Sequence, residues 1–210
     1  METNYRIAYK KGWDDLKTKD PLLLQSRLSI SYSSDTGKWT VPFFNDDYVV
    51  DPMTETIRSK YDGAIPDITA SIIILHYLTY SDFTPPIERE WVSLKEIPGG
   101  GALFYPAVQK NSIEPLIKTF GHQPQLLSHC ATHLGGEPAL MGSASAVFCP
   151  FPEIPLSVVV WEGDEEVKPN ATVLFDPSIS HLLHIETLIA LGMYLASQLI
   201  QIAKSSTPLN

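Results

Sequence analysis

Pro155-Leu-Ser-Val-Val-Val-Trp161, Glu162-Gly-Asp-Glu-Glu-Val-Lys-Pro169 and Thr172-Val-Leu-Phe175 decide the fold. The outer runs are rich in Val, Leu and aromatic residues, the composition of strands, and the charged run between them reads as a hairpin connection. Ala144–Phe148 supplies a third strand just upstream. An earlier group, Arg27–Tyr32, Lys38–Phe44 and Tyr48–Val50, is divided by Ser33-Ser-Asp-Thr-Gly37 and Asn45-Asp-Asp47. Such polar breaks between β-prone runs predict a meander.

The stretches between and after these groups carry helical spacing instead. Ile7, Trp13 and Leu16 place one helix over Tyr5–Asp20, stopping before Pro21, because proline disfavours helix in the residue ahead of it. Asp67–Tyr80 is so apolar that it reads as a core helix. Phe104–Phe120 ends at Gly121, read as a left-handed cap, and Gln125–Leu134 is closed by Gly135-Gly136. Leu188, Leu191, Leu195, Leu199 and Ile202 form a stripe along Ile185–Ala203, followed by a polar tail over 204–210. Strands early and late with helices between them argue α+β rather than alternating βαβ units. The expectation is one compact α+β domain over 1–210, its largely antiparallel sheet or two abutting sheets covered by the helices near 67–79, 105–120 and 185–203.

Composition narrows the function. Apolar residues make up 44% and charged ones 19% of the 210 residues, the balance of a chain that folds around a core. A net charge of −9, with no basic cluster denser than Lys10-Lys11, opposes binding to nucleic acid or to anionic lipid. The N-terminal residues have no signal-like apolar core, and the greasy run Ala70–Leu75 is shorter than a bilayer span of about 20 residues, so the expected location is cytoplasmic. Cys130 and Cys149 are the only cysteines, too few for a disulfide framework or a four-thiolate iron–sulfur cluster. G-x-G-x-x-G, Walker and G-x-S-x-G motifs are absent.

Three constellations carry candidate chemistry. In Trp91-Val-Ser-Leu-Lys-Glu-Ile-Pro-Gly-Gly-Gly101, the amides of Gly99, Gly100 and Gly101 would form an anion nest beside Lys95 and Glu96, with Trp91 as a stacking surface; alternatively the glycines only permit a tight turn. Trp161 borders carboxylates that include Asp164 and Glu165, suited to a hard cation, a cationic partner or general base work, with Asp176 expected on the neighbouring strand end. A solvated turn and an Asp-Pro cap are the plain alternatives. His129 and His133 lie four residues apart on one helical face, a spacing that grips a metal only if further ligands join; two histidines near a helix C-terminus, without zinc, is the favoured reading. His76, amid Ile72–Leu78, reads as a satisfied core histidine, and the thiols read as core packing.

The order Ser71-Ile-Ile-Ile-Leu-His-Tyr-Leu78, Trp91-Val-Ser-Leu-Lys-Glu-Ile-Pro-Gly-Gly100, Pro115-Leu-Ile-Lys-Thr-Phe-Gly121, Leu134-Gly-Gly136, Phe151-Pro-Glu-Ile-Pro-Leu156, Trp161-Glu-Gly-Asp-Glu-Glu166 and Leu174-Phe-Asp176 resembles a bacterial and archaeal domain-of-unknown-function family, number 3786. The resemblance implies no established activity. Relatives that accompany or are fused to iron–sulfur domains in anaerobes imply a redox or one-carbon setting. An Asp that relatives carry around Met141-Gly-Ser143 is absent here. The leading expectation is an accessory module that binds a small molecule, a cofactor or an iron–sulfur redox partner in one cleft shared by the Trp91–Gly101 loop and the Trp161–Glu166 turn. The other is a metal-assisted hydrolase or transferase built on His129, His133 and nearby carboxylates.

Overall fold

The computed structural model describes residues 2–81, 83–99 and 101–206. Helix α1 spans Glu2–Leu16 and α2 spans Pro21–Arg27. Asp20-Pro21, expected only to end the first helix, starts the second. The Asp20 carboxylate accepts from the backbone N–H of Leu22 (2.9 Å) and Leu23 (3.2 Å), and Pro21 stands at a first-turn position where its missing N–H costs nothing. The expected strand Arg27–Tyr32 therefore shrinks to β1, Ser31–Ser33. Strands β2 (Lys38–Phe43) and β3 (Asp46–Asp51) follow as expected, and β4 (Thr56–Ser59) is an addition. With one apolar residue, Ile57, β4 offers no alternation for sequence to reveal.

Helix α3 spans Ile68–Tyr80, capped by Asp67, whose carboxylate accepts from Thr69 (2.8 Å) and Ala70 (2.9 Å). Strand β5 (Val92–Ser93) and a short 3₁₀ turn (Leu94–Glu96) lead into α4 (Gly101–Val108). The stretch expected as one helix over Phe104–Phe120 is interrupted by a π turn at Gln109–Ile113, after which α5 (Glu114–Phe120) resumes. Pro115 has no N–H for the Asn111 carbonyl and would crowd it, and the widened turn ahead of it relieves that clash. Gly121 is not a left-handed cap: its φ is −64°, and glycine is needed there because a Cβ would lie 2.5 Å from the Ile117 carbonyl oxygen. Helix α6 (Pro124–Thr132) is followed by β6 (Glu137–Pro138), β7 (Ala144–Phe151), β8 (Ile154–Trp161) and β9 (Asn170–Phe175). Helix α7, Ile185–Ser206, takes in the first residues of the expected polar tail. The rest of that tail, 207–210, lies outside the described residues.

Among the described residues the strands form two antiparallel sheets, ordered β1-β2-β3-β4 and β5-β9-β8-β7-β6. They abut through a backbone bond from Phe44 N–H to the Pro150 carbonyl (2.9 Å) and through Phe43, whose ring lies 5.1 Å from Phe151 and 5.7 Å from Tyr194 of α7. One connected cluster of buried side chains runs from Trp13 and Leu75 through Phe148 and Val158 to Leu195. Helix α7 is long and apolar enough by composition to cross a bilayer. Its Leu188, Leu191, Leu195 and Leu199 are nevertheless fully buried within the protein core.

Glu153, at the β7–β8 turn, ties the halves together. It accepts from Ser29 N–H (2.7 Å) and from the Tyr77 hydroxyl (2.5 Å), and Tyr77 stacks on Phe151 at 3.9 Å. Burial first, and then the Glu153 charge, push the Tyr77 phenol far above its ordinary range, so it stays a neutral donor. Glu153→Ala leaves this buried hydroxyl without its acceptor. The expected result in urea denaturation is a loss of about 1–3 kcal/mol, whereas an unchanged midpoint would show that the contact carries no stability.

Candidate functional site

Helices α1, α3 and α7 pack side by side, and between them lies a cleft of 590 Å³. Its polar lining comes from three distant stretches of sequence: Lys11, Asp15 and Lys19 in and just after α1, His76 and Thr79 on α3, and His184 and Glu186 at the start of α7. A smaller hollow of 300 Å³ shares His76 and Glu186 with it and reaches Thr187. On the other side, a 460 Å³ cleft shares Tyr80 and His184 and is edged by Ile97, Pro98 and Gly99. The Tyr80 and His184 rings, 3.7 Å apart between centroids, stand between these two clefts. Volumes of this order suit a small organic ligand, for which about 300–1,000 Å³ is usual. A more open hollow of 760 Å³ follows the β2–β3 hairpin, but its one lysine, Lys60, is already paired with Asp47 at 3.3 Å.

His76 is the best-positioned titratable group in the groove. Its Nδ1 lies 2.6 Å from the Thr187 hydroxyl, which is 3% exposed. Burial lowers the His76 pKa below 6.5; the neighbouring His184 and Lys11 lower it further, against the opposing pull of Asp15 and Glu186. The imidazole is therefore neutral near pH 7. Lys11 is bound to Asp15 at 2.5 Å, along one turn of α1.

The residues expected from sequence are dispersed. Val92 pairs with Phe175, and Trp161 pairs with Asn170 at the other end of the same strand β9. Five residues of strand separate the two positions by about 17 Å. The expected shared cleft between the Trp91 loop and the Trp161 turn therefore does not form. Trp91 is half-buried beside β5, and Trp161 is 40% exposed. Lys95 sits over the Tyr105 ring at 4.1 Å. Glu96 accepts from the N–H and hydroxyl of Ser93, both at 2.8 Å, and those bonds lower its pKa. Gly101 is required because a Cβ would lie 1.8 Å from the Leu94 carbonyl oxygen, and Gly99 because its φ is +88°. Tight turning thus accounts for these two glycines, though Gly99 also edges the 460 Å³ cleft. Gly100 lies outside the described residues.

Asp164 accepts from the N–H groups of Glu166 (2.8 Å) and Val167 (2.7 Å), which lower its pKa and fix the turn, while Glu165 is exposed. Asp176 is 1% exposed and lines none of the clefts described above. It accepts from the N–H groups of Glu88 (3.1 Å) and Arg89 (2.7 Å), and from both the N–H (3.1 Å) and hydroxyl (2.5 Å) of Ser178. Burial, the largest single influence, would raise its pKa, yet these bonds together leave it lowered. Asp176 is a clamp that pins the segment before β5.

His129 and His133 do share a face, with rings 5.1 Å apart, and His133 Nδ1 lies 3.1 Å from the His129 carbonyl oxygen. Cys130 between them is buried in the core. Among the described residues no three His, Cys, Asp or Glu side chains gather as a metal would need. Cys149 is exposed rather than packed in the core as expected, because it faces outward on β7. Both thiols nevertheless have raised pKa values, from desolvation first and, for Cys149, Glu137 in addition, the opposite of an activated thiolate.

Fold and groove together define an antiparallel α+β protein whose polar cleft is walled by helices. The chain belongs to the family described as Domain of unknown function (DUF3786), which matches residues 20–198. His76, Tyr80, His184 and Glu186 fall inside the matched stretch, whereas Lys11, Asp15 and Lys19 precede it. No curated protein and no solved structure matches the chain.

The lowered pKa of His76 fixes the sign of a pH effect. Between the folded and unfolded values, the unfolded chain holds more protons, so stability is complete above about pH 6.5 and declines as pH falls through that value. His76→Gln should flatten this part of the urea-midpoint profile relative to the wild type. Identical slopes for the two proteins between about pH 7 and 5 would contradict the assignment.

Proposed function

We propose that this chain is a cytoplasmic accessory module that binds a small molecule, and that its site is the groove between α1, α3 and α7. The observation that carries this reading is the convergence of His76 of α3 with His184 and Glu186 at the start of α7 on one 590 Å³ cleft, although the two stretches are far apart in sequence. His76 is half-buried there and tied at 2.6 Å to the buried Thr187 hydroxyl, while His184 and Glu186 stand exposed at the rim, so the cleft joins a held polar group to accessible ones. The edge formed by Pro98 and Gly99 keeps the glycine loop adjacent to the site, while the Trp161 turn stands apart. Among the described residues His129 and His133 gather no third donor, so the metal-assisted reading has no comparable support.

A thermal-shift screen of metabolites and cofactors against wild type, His184→Ala and Glu186→Gln tests the location. Both side chains are exposed, so neither change should unfold the chain. A ligand that binds only the folded form raises apparent stability, by about 2.7 kcal/mol at a hundredfold excess over Kd. The expected result is a stabilising ligand whose effect is weakened in both variants. A ligand that stabilises all three proteins equally would place the binding site elsewhere.

A further inference from the structure

The groove's unspent hydrogen-bonding and charge capacity specifies its ligand more narrowly, an inference that rests on the binding-module reading. Thr187 Oγ is buried, and its one hydrogen-bond partner among the described residues is His76 Nδ1. If Nδ1 carried the proton, the hydroxyl hydrogen would be left buried with no acceptor, an unfavourable arrangement. If the hydroxyl donates instead, Nδ1 is the acceptor and the single imidazole proton of the neutral ring sits on Nε2. His76 Nε2 has no protein partner among the described residues and does not belong to the buried unpartnered atoms, which are Trp13 Nε1 and Ser112 Oγ. It therefore reaches open space, and the space that His76 lines is the groove. The groove thus holds one fixed N–H donor in search of an acceptor.

The charges follow the same accounting. Four formally charged residues line the cleft: Lys11, Lys19, Asp15 and Glu186. Lys11 and Asp15 neutralise each other at 2.5 Å. Lys19 and Glu186 form no ion pair among the described residues. One cation, one anion and the His76 N–H donor remain, with the Asn4 amide and the His184 ring lining the cleft beside them. An anionic ligand alone would face Glu186 and the field of a chain of net charge −9. A cationic ligand alone would leave Lys19 and the His76 donor unmatched. Beside these groups stand Ile7, 62% exposed, and the Tyr80 ring, which offer apolar surface.

We propose that the groove binds a small zwitterion, an α-amino acid with a large apolar side chain. Its carboxylate accepts from His76 Nε2–H and faces Lys19, its ammonium faces Glu186, and its side chain lies along Ile7 and Tyr80. The zwitterion has no net charge, so it enters against no net electrostatic force, and each of its groups meets a complementary one.

Isothermal titration with L-phenylalanine and L-leucine, beside phenylpropionate (no amine) and phenethylamine (no carboxylate), tests the assignment. Saturable binding of at least one amino acid is expected, with each truncated analogue weaker by about tenfold or more. Glu186→Gln should abolish the preference over phenylpropionate, and Lys19→Met the preference over phenethylamine. Both residues lie at the surface or half-buried, so the ligand-free melting temperature of each variant should match wild type. Analogues that bind as tightly as the amino acids, or an absence of saturation by any large apolar amino acid, would overturn the proposal. A different metabolite whose binding is weakened by His184→Ala would leave the binding-module reading standing while this one fell. Should no ligand bind the groove, both would fall.

Discussion

The burial of α7 is the constraint on which the other elements depend. Its Leu188, Leu191, Leu195 and Leu199 are fully enclosed, and removing one such leucine from a core costs about 2–5 kcal/mol. Tyr194 on the same helix reaches Phe43 and Phe44 of the N-terminal sheet, and Gly192 lets the ring of Phe175 from the second sheet approach closely. Both sheets are thus positioned against one helix. Packing α3 on that helix also sets the register that puts His76 opposite Thr187. The groove is a by-product of core packing in its position, while its chemistry comes from the polar residues that the packing leaves at the rim.

Much of the architecture was legible because the apolar pattern changes period along the chain. The valine-rich strands around Val158 and Val173 and the leucine stripe of α7 each report their own geometry. What escaped is short or dual in meaning. Asp20-Pro21 satisfies the rule for ending one helix and the rule for beginning another, and only the chain's path decides between them. The π turn before Pro115 is one extra residue within a turn, invisible to a periodicity window of a dozen residues.

The site was less legible, for a physical reason. Residues such as Trp91, Lys95, Asp164 and Asp176 stand out in sequence as aromatic or charged groups beside glycine and proline. Those are the same ingredients that turns and caps consume. Asp164 and Glu96 spend their lone pairs on nearby backbone, and Asp176 on the Glu88–Arg89 segment. His76 reads as satisfied inside an apolar helix, and among the described residues only its Nδ1 has a partner. The partner that makes it informative, Thr187, is 111 residues away, a separation that no local pattern bridges. The closeness of His184 and Glu186 at the start of α7 was a local sign, polar groups at the mouth of an apolar helix.

The central claim is that α3–α7 packing fixes His76 as a neutral donor facing the groove, and the state of its ring tests that claim most directly. Long-range ¹H–¹⁵N correlation spectra of the folded protein near pH 7.5, with His76 assigned by comparison with His76→Gln, distinguish the tautomers. The account predicts a protonated Nε2 and an unprotonated, acceptor Nδ1 that changes on Thr187→Val. A proton on Nδ1, or a freely averaging ring indifferent to Thr187→Val, would contradict it.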